Sequence, residues 1–274
     1  MTELAHDRRS VLALAGAFGA LAAAPATAQR QSKAIDLDDP TENLRAYIRL
    51  RGDLTGKTVI ERVEARSFGV IEHKLPVPLF GGLGIQVSRF LPTAEGFLFR
   101  YKYFSLATDL ATGRPITTFA NSYTGKSNTV PSRTTAPGEI LLTTRGWQFT
   151  RRPNDAATQA IPGLVRPWSR MGDQLHLTDT LISPPKFEVH PAFQLFTYMA
   201  PWTLATDPRR ASVSAGFAGT GMEDWRDWME MDAKQHDGSL TVHMTGRKVA
   251  GPADFPDWLI SAARREMPTL FDTL

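Results

Sequence analysis

The chain has 274 residues, of which 42% are hydrophobic and 22% are charged, so it has the composition of an ordinary globular protein. It contains no cysteine, which excludes disulfides, thiolate metal sites and a cysteine nucleophile. The formal net charge is only +3, and no basic run is interleaved with aromatic residues, so we expect no nucleic-acid partner. A chain of this length can form one large β domain or two small ones.

The N-terminus has the layout of an export signal. Arg8 and Arg9 precede an alanine-rich apolar run over residues 13–24, and small residues up to Ala28 follow that run. This order is typical of a twin-arginine-type signal peptide, here residues 1–28, that is cleaved after its last small residue. The apolar run is too short to span ~30 Å of hydrocarbon, so we expect no membrane anchor after cleavage. The predicted location is periplasmic or secreted.

A linker over residues 29–38 leads into a predicted helix. Asp39 can cap this helix, Pro40 suits its first position, and Gly52 ends it. The apolar residues that fall on one face are Leu44, Tyr47 and Ile48. We expect this short helix to pack on a sheet or to plug it.

From residue 57 onward the hydrophobic period changes to two, which is typical of β-strands. The predicted strands are Thr58–Ala65, Ser67–His73, Gly84–Leu91, Gly96–Leu106, Glu139–Thr144, Trp147–Arg151, Gln174–Ile182, Phe193–Met199, Ser212–Phe217 and Ser239–Lys248. Glycine and proline separate most of them, which favours antiparallel connections over βαβ units.

The stretch Tyr101–Val130 contains three short strand-forming runs separated by turns that end in Gly113 and Gly125. Such close spacing predicts an antiparallel meander, on which we expect the rest of the sheet to build.

The predicted fold is mainly β: a large antiparallel β-barrel or barrel-like sandwich with a short N-terminal helix and a C-terminal helix. Closure is favoured because it removes exposed sheet edges. Residues 39–274 are expected to form a single β-rich domain. Within it, Arg152–Met171 is predicted to be a surface loop or lid, and a second helix is predicted to start in Asp254–Asp257 and to run through Trp258 to Ala263.

Several motifs resemble those of an uncharacterised exported family, domain of unknown function 1838 (DUF1838). They are the run from Leu110 to Ile116, the run from Phe119 to Gly125, the segment Trp225–Met231, and Thr245–Lys248 near the C-terminus. The sequence departs from the family pattern at Ser122, where proline is usual, and at Phe119, where tryptophan is frequent. The resemblance spans nearly the whole mature chain and implies an exported β-rich protein without an assigned chemistry.

Candidate catalytic residues are few. His190 lies two residues from Glu188, so on a strand both side chains would share a face, and the carboxylate could fix the tautomer of the histidine and raise its pKa. Tyr123 is the second candidate proton carrier. The chain has no HExxH motif, no GxSxG elbow and no glycine-rich phosphate loop, so we predict neither a metal nor another cofactor.

Aromatic and cationic residues give the stronger pattern. On the strand that begins near Gly96, Arg100 faces opposite to Tyr101, and a cation inside a barrel needs an anion. The alternative for Arg100 is a structural carboxylate such as Glu61. The predicted ligand-binding residues are Arg100, Asn121, Tyr101, Trp202, Trp225 and Trp228. Asn121 and Tyr123 can cap the rim of a pocket or simply build the turn, and the turn is slightly favoured because an asparagine before a Thr-Gly turn has a local role.

These patterns predict a cavity for a small hydrophobic or aromatic molecule. Three hypotheses remain open. One is a cofactor-free acid–base enzyme of the lyase, isomerase or cyclase type; another is a non-catalytic periplasmic carrier. A third is a partner-binding envelope protein, which would present an exposed aromatic patch.

Overall fold

A computed structural model describes residues 35–71, 74–149, 165–182, 193–231 and 237–272. The helices are α1 (Pro40–Arg51), α2 (Trp202–Ala205) and α3 (Asp257–Glu266), with single 3-10 turns at Asp227–Met229 and Pro252–Asp254. The strands are β1 (Val59–Ile71), β2 (Val77–Pro92), β3 (Phe97–Thr108), β4 (Thr118–Ala120), β5 (Ser127–Thr129), β6 (Arg133–Thr143), β7 (Gly146–Phe149), β8 (Trp168–Met171), β9 (Gln174–Ile182), β10 (Phe193–Pro201), β11 (Gly216–Glu223) and β12 (Gly238–Val249).

Ten of these strands form one antiparallel sheet in the order β7-β6-β3-β2-β1-β12-β11-β10-β9-β8. The sheet is curled into a half-barrel. Its middle is the pair β1–β12, which joins the first and last of the described strands from Ile60 opposite Val249 to Ile71 opposite Gly238. The predicted mainly antiparallel, barrel-like fold with an N-terminal and a C-terminal helix is therefore confirmed.

The central meander was predicted incorrectly. Its first run belongs to β3, but β4 and β5 pair only with each other and form a separate two-stranded sheet. The turn between β3 and β4 is held by the Asp109 carboxylate, which accepts hydrogen bonds from Thr112 N and Thr112 Oγ1, both at 2.8 Å. Local turn bonds of this kind redirect the chain out of the main sheet.

Other strand boundaries also differ from the predictions. The two runs predicted on either side of Arg66 are one continuous strand, β1, in which a register shift at Ser67/Phe68 replaces the expected break. Most of the predicted strand Ser212–Phe217 is loop, because β11 starts only at Gly216. The end of the predicted lid is strand β8, while residues 151–164 lie outside the described residues.

Helix α1 begins and ends as predicted. The Asp39 carboxylate accepts hydrogen bonds from the backbone N–H groups of Thr41 and Glu42, both at 2.9 Å, which satisfies two of the free N–H groups at the helix start. The helix ends at Gly52. A Cβ on this glycine would lie 2.1 Å from Cδ2 of the buried Phe90, so the chain can leave the helix here only without a side chain.

The two faces of the sheet are covered by different helices. Helix α1 packs on one face in the largest apolar cluster, where Leu44, Tyr47 and Ile48 are fully or almost fully buried. Helix α3 packs on the other face against the alternate residues of β2 and β3, such as Ile85 and Phe104. The N-terminal helix therefore packs on the sheet, as expected. Alternate residues of β3 face α1 and α3.

Candidate functional site

A cavity of about 290 Å³ lies on the α1 side of the sheet. We call it the Arg51 chamber. Every strand of the ten-stranded sheet except β8 contributes to its wall, together with the C-terminal end of α1. Because strands from both halves of the sheet meet around one space, this side is the concave interior. The aromatic residues of the wall are Phe99, Tyr101, Tyr103, Trp147, Phe196, Tyr198 and Phe217.

Glycines on neighbouring strands provide space for these rings. Gly138 pairs directly with Tyr101 across β3 and β6, and a Cβ there would lie 2.4 Å from Cε1 of that tyrosine. Gly246 stands in the same relation to Phe217, with a distance of 2.4 Å to Cε1. The rings therefore lie across the neighbouring strand where a side chain would otherwise stand.

Arg51 brings a positive charge into this chamber. Its Nη1 donates a hydrogen bond to Tyr47 Oη at 2.6 Å, and its guanidinium carbon lies 4.4 Å from the Phe99 ring centre and 5.3 Å from that of Trp147. The buried Nε has no hydrogen-bond partner among the described residues. Burial lowers the pKa of Arg51, but Tyr198, Tyr47, Glu61 and Asp179 raise it more, so the side chain stays charged.

Asp179 has its own set of donors. Its carboxylate accepts hydrogen bonds from Tyr47 Oη at 2.8 Å, Trp147 Nε1 at 3.3 Å and Arg166 Nε at 2.9 Å. The side chains of Arg166 and Asp179 are only 7% and 6% exposed. This carboxylate is thus already neutralised by Arg166, and Tyr47 connects it to Arg51.

Glu61 is the other carboxyl group in the wall, and it is 2% exposed. Gln86 Nε2 donates to its Oε2 at 2.6 Å. Burial raises the pKa of Glu61, although Arg51, Lys248 and the Gln86 hydrogen bond act in the opposite direction. The carboxyl group therefore holds its proton to a higher pH than an exposed glutamate does, which suits a proton donor or acceptor.

A second cavity of about 290 Å³ lies further along the same face. We call it the Ser67 chamber. Its walls combine apolar residues such as Phe80, Val242 and Trp228 with the hydroxyl groups of Ser67 and Ser105. Two residues, Arg133 and Met244, line both chambers.

The predicted ligand-binding residues divide between the interior and other positions. Tyr101 lines the Arg51 chamber, and Trp228 lines the Ser67 chamber. Trp202 instead packs against Trp168, with ring centres 5.8 Å apart, and Trp225 packs against Tyr123 at 5.5 Å. Neither Trp202 nor Trp225 belongs to the wall of either chamber.

Arg100 was expected to grip a ligand, but it faces the other way. It lies on the α3 side of β3, where its Nε is 2.7 Å from Oε1 of Glu139, the residue opposite on β6. Alternation along the strand requires this, because Phe99 and Tyr101 face the interior. The structural carboxylate that we considered as its alternative partner was Glu61, whereas the partner in the structure is Glu139.

The remaining predicted site residues do not meet at one point. Asn121 is buried and builds its turn: its Oδ1 accepts from Tyr123 N at 3.0 Å and its Nδ2 donates to Met229 O at 2.9 Å. The ring of Tyr123 lies over Gly69, where a Cβ would be 2.4 Å from the phenol oxygen. Tyr123 lines neither chamber. His190 lies outside the described residues.

The polar residues of the Arg51 chamber were not predicted from the sequence, although one pattern in the sequence indicated Asp179. On β9 the inward face reads Leu175, Leu177, Asp179 and Leu181, so one carboxylate interrupts an apolar face. A charge at such a position is rare unless it is paired. Arg51 gave no comparable signal, because a basic residue in the last turn of a helix is common on surfaces.

In the part of the chain that the structure describes, no three His, Asp or Glu side chains are grouped so that they could hold a metal ion. None of the described helices has the length and apolar character needed to cross a membrane.

No curated protein and no solved structure matches the chain. A family model, however, matches residues 57–273. The chain therefore belongs to the family described as protein of unknown function DUF1838.

Proposed function

We propose that the protein binds a small hydrophobic or aromatic molecule that carries an anionic group, and that the ligand occupies the Arg51 chamber. One observation carries this proposal: a guanidinium group stands among aromatic rings with a single hydrogen bond to the described residues, that to Tyr47. A chamber of about 290 Å³ with apolar walls and a few polar groups has the usual character of a small-molecule site.

The charge balance of the chamber favours an anion. Asp179 is paired with Arg166, and burial disfavours the charged form of Glu61. The positive charge of Arg51 is therefore only partly compensated by the protein, and a buried cation is stable only when it is paired. A ligand carboxylate or phenolate would complete the pairing, while its rings or chain would contact Phe99 and Trp147.

Replacing Arg51 by methionine should test this anchor. We expect the R51M variant to bind naphthoate at least about tenfold more weakly than the unchanged protein, since a lost charged hydrogen bond contributes about 1.5–3 kcal/mol. Binding of the neutral analogue naphthalenemethanol should change little. Calorimetric titration of both compounds measures the two affinities.

Arg100→Met is the matched control, because Arg100 carries the same charge on the opposite face of the sheet. It should leave both affinities unchanged. Equal loss of naphthoate binding in R51M and R100M, or equal loss of both compounds in R51M, would contradict an anchoring role for Arg51.

A second candidate function is acid–base conversion of the bound molecule, of the lyase, isomerase or cyclase type. The observation that favours it is the buried carboxyl group of Glu61 in the chamber wall. Burial raises the pKa of this carboxyl group above that of an exposed glutamate, which favours proton transfer to and from a bound molecule. In this second candidate function, Glu61 would transfer the proton, a role that was predicted from the sequence for His190 and Tyr123. In a non-catalytic carrier, the same carboxyl group of Glu61 would form a hydrogen bond to the ligand and would transfer no proton.

Glu61 should also make ligand binding depend on pH. At low pH its carboxyl is neutral; as the pH rises through the raised pKa, a negative charge appears beside the bound anion. We expect naphthoate affinity to fall threefold to tenfold as the pH rises through the pKa of Glu61, which corresponds to a repulsion of about 0.7–1.4 kcal/mol. The Glu61→Gln variant should show nearly constant affinity over the same range. Identical pH profiles for the two proteins would rule out Glu61 as the source.

We further propose that the mature protein acts in the periplasm or outside the cell, following cleavage of the twin-arginine-type signal over residues 1–28. This proposal rests on the sequence alone. Native mass spectrometry of the protein recovered from the periplasm would test cleavage and ligand together: a mass lacking those residues supports export, and a co-purified organic molecule supports the cavity function. Full-length protein confined to the cytoplasm would contradict export, and an empty mature protein would favour a partner-binding envelope protein.

A further inference from the structure

The Arg51 chamber and the Ser67 chamber are neighbours on the concave face. Each has a volume of about 290 Å³, which is at the lower limit of the roughly 300–1,000 Å³ range of small-molecule sites. Together they fall well within that range. Their common wall consists of Arg133 and Met244.

The two residues of this wall have long side chains with several rotatable bonds. Half of the Arg133 side chain is exposed, and its ion pair with Glu223 measures 3.5 Å, between Nη2 and Oε2. Such a long, partly exposed pair contributes little stability. Methionine adapts its shape to what it contacts. The wall can therefore move aside without disturbing the backbone of the sheet.

The wall of the Ser67 chamber contains hydroxyl groups from β1 and β3. Ser67 is 4% exposed and Ser105 is 9% exposed, and both residues line this chamber. Arg226, in contrast, is paired with Glu223. A hydroxyl group can both donate and accept a hydrogen bond, so the two serines can bind a polar ligand atom in this chamber.

We infer that the two chambers form one elongated site, and that its ligand is an elongated, largely apolar carboxylate with an oxygen function at the far end. The carboxylate pairs with Arg51, the apolar body passes between Arg133 and Met244, and the far hydroxyl or carbonyl group meets Ser67 and Ser105. This inference rests on the proposed function and adds to it the length and the second polar group of the ligand.

Met244→Trp tests the passage between the chambers. A larger ring at this position should lower the affinity for long-chain ω-hydroxy monocarboxylates at least about tenfold more than the affinity for naphthoate, because naphthoate occupies only the Arg51 chamber and does not pass between the two chambers. The control is Thr245→Trp, which adds the same ring one residue along β12 on the opposite face. Equal losses of long and short compounds in M244W, or no loss at all, would overturn the two-chamber site.

Ser67→Ala tests the far polar contact. It should weaken binding of the ω-hydroxy acid by about twofold to tenfold, the effect of one hydrogen bond, without changing the affinity for the unsubstituted acid of equal length. An equal effect on both acids would contradict the contact. Failure of the unchanged protein to bind naphthoate would overturn the proposed function itself, whereas naphthoate binding without any binding of long acids would overturn only this inference.

Discussion

Replacing Asp179 by alanine should lower the free energy of unfolding by about 3–5 kcal/mol, the usual cost of breaking a buried ion pair from one side. The variant would leave Arg166 buried without its counter-ion. It would also remove the acceptor of Tyr47 Oη and Trp147 Nε1. Urea denaturation followed by circular dichroism measures the change.

Two further variants make this prediction sharper. Asp179→Asn keeps one acceptor oxygen but no charge, so its free energy of unfolding should lie between those of the unchanged protein and D179A. Glu64→Ala removes a carboxylate that is 58% exposed and pairs with Arg62 at 2.9 Å, and it should cost less than about 1 kcal/mol. Similar losses in D179A and E64A would show that burial does not govern the contribution of Asp179.

The second large effect concerns Lys248 on β12. Its ammonium group donates to the carbonyl oxygens of Arg49, Gly52 and Val213 at 2.7–3.0 Å and to Ser212 Oγ at 2.9 Å. It thereby connects the last turn of α1 to the loop before β11. Burial lowers the pKa of Lys248 to about 8, although Glu61 and Asp53 oppose the shift, so at pH 7 the amine is still mostly charged.

Lys248→Met should therefore lower the free energy of unfolding at pH 7 by about 2–4 kcal/mol, because buried carbonyl groups lose a charged donor. Thermal denaturation at this pH provides the measurement. Arg247→Met is the control, because Arg247 is the adjacent residue on β12 and is exposed. This variant should change the free energy of unfolding by no more than about 0.5 kcal/mol. A K248M protein as stable as R247M would contradict the connecting role.

The sequence was sufficient to predict the parts of the fold that depend on local chemistry. The capping residue Asp39, the terminating Gly52 and the period-two pattern of β9 each act within a few residues, and the corresponding elements were predicted well. The separate β4–β5 sheet was not predicted, because strand-forming residues do not specify which partner a short strand will choose.

The candidate site was less predictable for the same physical reason. Alternation along β3 correctly separated Tyr101 from Arg100, but it could not say which of the two faces was concave. That choice depends on the curl of ten strands and on where α1 packs. Arg51 and Glu61 are ten residues apart in sequence, in different elements, and only the closed side of the sheet brings both to one chamber.

The pairing of β1 with β12 also has a consequence for synthesis of the chain. Until residue 249 has left the ribosome, the 13 residues of β1 have a partner on only one edge. A long unpaired edge recruits other chains, and contacts between distant residues form slowly. A product that stops before β12 should consequently aggregate, even though most of its strands are present. We therefore expect the solubility of the newly made chain to depend on β12.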